Sequence, residues 1–176
     1  MNKQEELKIY IAGPGVFLQN AKEHGVYLKE ICQKYGFTGL YPLDNELEIT
    51  ESTPKAEIAR IIKIGNTNLI KEADLIVADL NSFRGFEMDS GTAYECGYAD
   101  ASGKKIFAFM DDTRSILEKY PTKTKINNDL IVDEKGFYIE DFELPINLMI
   151  GICATIVEGN FEDCIKYIAK NHYKSN

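Results

Sequence analysis

Apolar residues follow two rhythms along this 176-residue chain, and the alternation between them predicts its architecture. Leu7 to Ala12 (LKIYIA) is a β-rich run that ends in Gly13-Pro14-Gly15, a buried strand followed by a tight loop. Asn20 to Tyr35 sets Val26, Leu28, Ile31 and Cys32 among charges and stops at Gly36, which predicts a surface helix. Thr38 to Tyr41 is a short second strand, closed by Pro42 and the polar Leu43-Asp44-Asn45-Glu46 segment, which would reach the same rim as Gly13. Thr53 and Pro54 offer a cap and a first-turn proline for a helix of about 20 residues ending at Ala73. Its stripe is Ile58, Ile61, Ile62, Leu69 and Ile70, with Gly65 as a weak point. Leu75 to Asp79 is continuously apolar until its last residue, as in a strand covered on both faces. A helix from about Thr92 to Ser102 and a fourth strand, Lys105 to Met110, follow.

Beyond Asp111 the pattern weakens to a charged helical piece (Ser115 to Lys119), Pro121, and a Gly136-containing segment compatible with a hairpin. Asn147 to Glu158 is strongly apolar and reads equally as a buried helix or a late strand, and Phe161 to Lys170 is a last amphipathic helix. Alternating strands and helices predict an α/β doubly wound parallel sheet of four to five strands with helices on both faces. Residues 1–176 suffice for one domain with a full core.

Composition narrows the partners. A net charge of −8 argues against a nucleic-acid partner, which calls for basic stripes, and favours small molecules with little negative charge. Cys32, Cys96, Cys153 and Cys164 form no C-x-x-C pair, so reduced thiols in a cytoplasmic protein are expected. His24 and His172 lie far apart and no zinc motif occurs; Asp111-Asp112 reads as a solvated loop end, so neither metal nor cofactor is expected. The amino terminus MNKQEELK is no signal peptide, and the longest apolar run, Leu148 to Val157, is well short of the roughly 20 residues that span a bilayer.

Chemistry concentrates between Asp79 and Ala99. Asp79 ends a strand, and Asp89-Ser90-Gly91-Thr92 launches the helix that carries Glu95, so carboxylates converge on the rim where open α/β sheets bind ligands. Locally, Glu95 fits a capping box with Thr92 as well as it fits a catalytic role, and Asp79 could simply cap a loop. The Gly13-Pro14-Gly15 turn lacks a dinucleotide fingerprint, and Val16 and Phe17 after it suit a flat ring better than a pyrophosphate.

Taken together, Lys8-Ile-Tyr-Ile-Ala-Gly-Pro14 with Phe17, Ala73 to Asp79, Arg84-Gly85, Asp89 to Ala99, and Asn147-Leu148-Met149 resemble the nucleoside 2-deoxyribosyltransferase family. The resemblance implies a flavodoxin-like fold and exchange of purine or pyrimidine bases on 2-deoxyribose through a covalent glycosyl-enzyme. By position, Glu95 would be the nucleophile, Tyr10 would hold and tune it, and Asp79 would exchange a proton with the base. Asp89 would grip a sugar hydroxyl within the Asp89-Ser90-Gly91 turn, while Gly13 and Phe17 would line the base, with Phe83 and Tyr94 as further walls. Asn147 would enter a neighbouring subunit's pocket, which implies a homo-oligomer. Members of the family often complete the neighbour's pocket with a carboxy-terminal tyrosine carboxylate, whereas here Tyr173 is followed by Lys-Ser-Asn. Deoxyribonucleosides and free bases would be the small-molecule partners, with a role in nucleotide salvage. The rival readings are a deoxynucleoside 5′-monophosphate N-glycosidase, which would hydrolyse the same bond, and a non-catalytic flavodoxin-like module.

Overall fold

The computed structural model describes residues 6–45, 49–126 and 130–171. The predicted alternation is present as β1 (Lys8–Ala12), α1 (Ala21–Lys34), β2 (Thr38–Leu40), α2 (Lys55–Glu72), β3 (Leu75–Asp79), α3 (Ser90–Ala101) and β4 (Lys105–Met110). Then come α4 (Ile116–Lys119), β5 (Thr124–Lys125), β6 (Ile131–Val132), α5 (Leu148–Gly151), β7 (Ala154–Glu158) and α6 (Phe161–Asn171). Strands β2-β1-β3-β4-β7 form one sheet in that order with every pairing parallel, the flavodoxin-like arrangement.

Side chains alternate across a strand, so β1 splits its residues between two cores. Ile9 and Ile11 join Leu28, Ile31 and Cys32 of α1 and Cys164, Ile165 and Ile168 of α6. Tyr10 and Ala12 join Ile70 of α2, Cys96 and Ala99 of α3, and Ile150 of α5. Each fully buried Ile or Leu contributes roughly 1.5–3 kcal/mol, which holds helices against both faces. The same alternation in β3 sends Leu75 and Val77 to the α1/α6 side and Ile76 and Ala78 to the α2/α3 side. The chain leaves β1 toward β2 on one side and returns to β3 on the other, so the rim over Ala12 and Asp79 is the switch point.

Several boundaries differ from the sequence expectation. Thr53 does not cap α2: its Oγ1 accepts from the Thr50 backbone N–H at 3.0 Å, and Pro54 takes the cap position without a side-chain bond. Helix α3 starts two residues before Thr92, because Asp89 is its cap. Asn147 to Glu158 is neither helix nor strand throughout but one turn of α5 followed by the edge strand β7, and Met149 and Ile152 are exposed rather than buried. The Gly136 segment does turn back: Val132 bridges to Tyr138 around Gly136, whose φ is +84°, and ahead of it β5 pairs with β6 antiparallel. Among the described residues, no helix is long and apolar enough to cross a membrane. The amino-terminal MNKQE, Glu46, His172 and Tyr173-Lys-Ser-Asn lie outside the described residues.

Candidate active site

Tyr10 points into the α2/α3 face of the sheet, fully buried, because it is the even-numbered partner in the Ile9-Tyr10-Ile11 alternation. Its hydroxyl donates to Glu95 Oε1 of α3 at 2.6 Å, and Asn66 Nδ2 of α2 donates to the same oxygen at 3.3 Å. Asn45 in turn donates from Nδ2 to Asn66 Oδ1 at 3.4 Å, which sets the Asn66 amide with its donor toward Glu95. Both bonds to Glu95 fall on Oε1, so Oε2 is left for an incoming group.

That arrangement removes the capping-box reading of Glu95. The Thr92 N–H donates to Asp89 Oδ2 at 2.9 Å, and the Thr92 hydroxyl to the same atom at 3.0 Å. Asp89 therefore starts the helix and frees Glu95 from doing so. Gly91 permits the fold-back, since a Cβ there would stand 3.0 Å from Asp89 Oδ2. Ser90 and Gly91 occupy the exposed first turn of α3, beside Asp89.

Burial pushes the Glu95 carboxyl up to about 7; the Tyr10 and Asn66 bonds pull the other way, and the charge of Asp89 adds to the rise. Tyr10 is held strongly above the usual phenol range by burial first and by the Glu95 charge second. The phenol thus stays a donor throughout the range in which Glu95 titrates.

Asp79 lies at the end of β3 with Leu75 and Val77 as its same-face neighbours, so it heads the reverse, α1/α6 side of the rim from Glu95. Its Oδ1 accepts from the Asn81 backbone N–H at 3.0 Å and from Asn81 Nδ2 at 2.8 Å. Burial raises its pKa above the ordinary carboxylate value, the Asn81 bonds oppose this, Asp111 adds to the rise and His24 reduces it. Gly13 packs against this residue, and a Cβ on it would come within 2.9 Å of Asp79 Cβ.

Phe17 is 58% exposed on the loop after β1 and stacks on Phe83 with ring centroids 5.5 Å apart and planes 16° from parallel. The Arg84 guanidinium sits over both rings, at 5.3 and 4.7 Å. This is an open aromatic shelf at the rim, suited to a planar ring. Tyr94 is neither core nor wall of that shelf: half exposed, it stacks on Tyr98. Asn147 is exposed and caps α5, with Oδ1 accepting from the Met149 N–H at 3.1 Å and Nδ2 donating to Glu140 at 2.6 Å. The structure does not join it to the Tyr10–Asn66–Glu95 cluster of its own chain.

Asn66 escaped the sequence reading, and Asn45 entered it only as part of the Leu43 to Glu46 segment expected at the rim. The available signal was a polar residue four positions before buried Ile70, on the stripe that α2 turns to the core. Gly65 was another: it is where Asn45 packs, with the hypothetical Cβ 3.0 Å from the Asn45 amide. Among the described residues, no three His, Cys, Asp or Glu side chains cluster as a metal site would require.

The family model described as nucleoside 2-deoxyribosyltransferase matches residues 9–149. A solved 2-desoxiribosyltransferase from Leishmania mexicana superposes with a TM-score of 0.73 at 34% identity, over 94% of this chain and 99% of that one. A 2-deoxyribosyltransferase from Bacillus psychrosaccharolyticus shares the fold, with a TM-score of 0.59 at 22% identity over 91% of each chain. An uncharacterized protein of Schizosaccharomyces pombe is 38% identical over 112 residues, 63% of this chain; that match spans only about half (53%) of the yeast protein. The chain belongs to the nucleoside 2-deoxyribosyltransferase family.

Proposed function

We propose that this protein exchanges purine or pyrimidine bases on 2-deoxyribose through a covalent deoxyribosyl-Glu95 intermediate. The observation that carries the reading is the one-sided hydrogen bonding of Glu95: Tyr10 and Asn66 both bind Oε1, so Oε2 is the free nucleophilic oxygen. In the first half-reaction Oε2 attacks the anomeric carbon, the C–N bond breaks with its electron pair passing to the base, and protonated Asp79 supplies the proton. In the second half, a ring nitrogen of another base attacks the same carbon and releases Glu95, and Asp79 takes a proton back.

The two carboxylates stand on opposite sides of the rim. A nucleoside would accordingly place its sugar over Glu95 and lay its base across Gly13 toward Asp79, against the Phe17–Phe83 shelf. Asp89, with Ser90 and Gly91 beside it, is positioned to meet a sugar hydroxyl through the carboxylate oxygen not used in capping. A base lying on the aromatic shelf would cover the sugar carbon from that side, which favours transfer over hydrolysis of the intermediate.

Asn147 reaches a neighbouring subunit's pocket in this reading. Its exposure, together with exposed Met149 and Ile152 beside it, supports a homo-oligomer. Four free cysteines and the lack of a spanning helix among the described residues support a cytoplasmic enzyme that returns bases to deoxynucleosides, a salvage role. Incubation with deoxyinosine plus adenine, and with thymidine plus adenine, tests the activity. Deoxyadenosine from either supports transfer; free base without new nucleoside identifies a glycosidase and rejects the reading.

A further inference from the structure

The loop that joins β3 to α3 carries a cation onto the aromatic shelf. Ser82 Oγ donates to the Phe86 carbonyl at 3.1 Å and the Phe83 N–H to that of Glu87 at 2.8 Å, which closes the loop with Arg84 and Gly85 at its tip. Arg84 holds a φ of +54°, a left-handed conformation that residues other than glycine, asparagine and aspartate rarely adopt. From there its guanidinium stands 4.7 Å from the Phe83 centroid and 5.3 Å from that of Phe17, while the two rings lie 5.5 Å apart. A cation beyond the outer face of either ring would be farther from the second ring than the rings are from each other. The guanidinium therefore bridges the pair and leaves the outer face of Phe17 open, in keeping with the exposure of that ring. Arg60 and Arg114 are each held by an acid close by in the chain, Glu57 and Asp112. Arg84, exposed, pairs with no carboxylate among the described residues, so its N–H donors are left for a ligand.

A guanidinium offers five N–H donors and no acceptor, so what it recognises at the edge of a planar ring is a lone pair. In the transferase reading the sugar lies over Glu95 and the base against the shelf, which brings Arg84 to the base and not to the 5′ end of the sugar. We infer that Arg84 is a specificity residue that selects bases bearing an exocyclic carbonyl oxygen, such as the 6-oxo group of hypoxanthine or guanine, over the 6-amino group of adenine. The inference rests on the transferase reading for the place of the base. An amino group presents N–H donors where Arg84 also presents donors, so no bond forms, whereas the oxo group accepts one from a charged donor. With a 6-oxopurine, the electron pair that leaves with the base spreads onto that same oxygen, and the contact strengthens as the C–N bond breaks. The ring nitrogens stay available to Asp79.

Internal competition reads the preference whatever fraction of a preparation is active. Native protein and Arg84→Met are each given 2′-deoxyguanosine as donor with equal concentrations of hypoxanthine and adenine as acceptors, and the initial ratio of deoxyinosine to deoxyadenosine is measured. Arg84→Met is expected to lower this ratio about tenfold, the worth of one hydrogen bond to a charged group at an exposed site. Arg84→Lys keeps the charge but loses the planar fork and is expected to fall between the two. Arg84→Leu replaces the methionine variant should it not fold. A ratio equal to the native one in the neutral variant overturns the inference, because a residue that only braces the loop acts on both bases alike. Failure of the transferase reading is seen separately, as no new deoxynucleoside from the native protein. Calorimetric titration of hypoxanthine and of adenine into native protein and Arg84→Met then decides: a loss of affinity confined to hypoxanthine supports the inference, and equal changes for both bases overturn it.

Discussion

The Tyr10 hydroxyl and Glu95 carboxylate meet at 2.6 Å although 85 residues separate them in the chain. The contact follows from β1 and α3 packing on one face of the sheet, with Tyr10 pointing there by strand alternation. Since Glu95 must be ionised to attack, exchange should fall as pH drops through about 7, where burial places its titration. Tyr10→Phe removes a bond that lowers this pKa. The acidic limb of the pH–rate profile should then move upward by about 1–2 pH units, the equivalent of a hydrogen bond to a charged group worth about 1.5–3 kcal/mol. An unmoved limb would show that Tyr10 does not tune the carboxylate.

The same raised pKa couples folding to pH. Glu95 titrates near 7 in the folded chain and at the ordinary value of 4.5 when unfolded. Its contribution to stability is therefore complete below about 4.5 and is lost as pH rises through 7. Glu95→Gln lacks this loss. Between pH 5 and pH 8 the variant should gain on the native protein by up to about 3 kcal/mol in denaturant unfolding. A constant difference across that range would place Glu95 in water.

Asp79→Asn should slow exchange by about 10²–10⁴-fold for bases that must be protonated to leave, the usual worth of a general acid. Bases that depart easily should be affected less. Equal losses across a series of donor nucleosides would mean that Asp79 only positions the base.

Gly13→Ala drives a methyl to within 2.9 Å of Asp79 Cβ. The overpacking should cost about 1–3 kcal/mol of stability. Displacing the carboxylate by about 1 Å should cost on the order of 10²-fold in kcat. Thermal unfolding and steady-state kinetics on one preparation check both. An alanine variant with native kcat would show that the loop yields and that Asp79 does not need this position.

The architecture was legible because its physics is local. Leu75 to Asp79 announced a doubly covered strand, and the spacing of Ile58 to Ile70 announced a helix, each from neighbours in sequence. The candidate site was legible only in part. Glu95 and Asp79 stood out as acids among apolar residues, yet local pattern could not say whether Glu95 capped its own helix. That was decided by Asp89, three residues before Thr92, taking the bond first. Nothing near Asn66 in sequence connects it to Glu95; the link exists only once α2 and α3 share a face. Asn147 to Glu158 resisted assignment because its β-branched apolar residues suit two structures, and the chain makes both, turning from α5 into β7 at Ile152 and Cys153.

The account depends most on the Glu95 oxygen becoming bonded to the sugar. Acid quenching of the protein with deoxyinosine, followed by peptide mass spectrometry, reads this directly. The account predicts one deoxyribosyl group on Glu95, absent from Glu95→Gln. A deoxyribosyl group on any other residue, or base exchange by folded Glu95→Gln at the native rate, would contradict it.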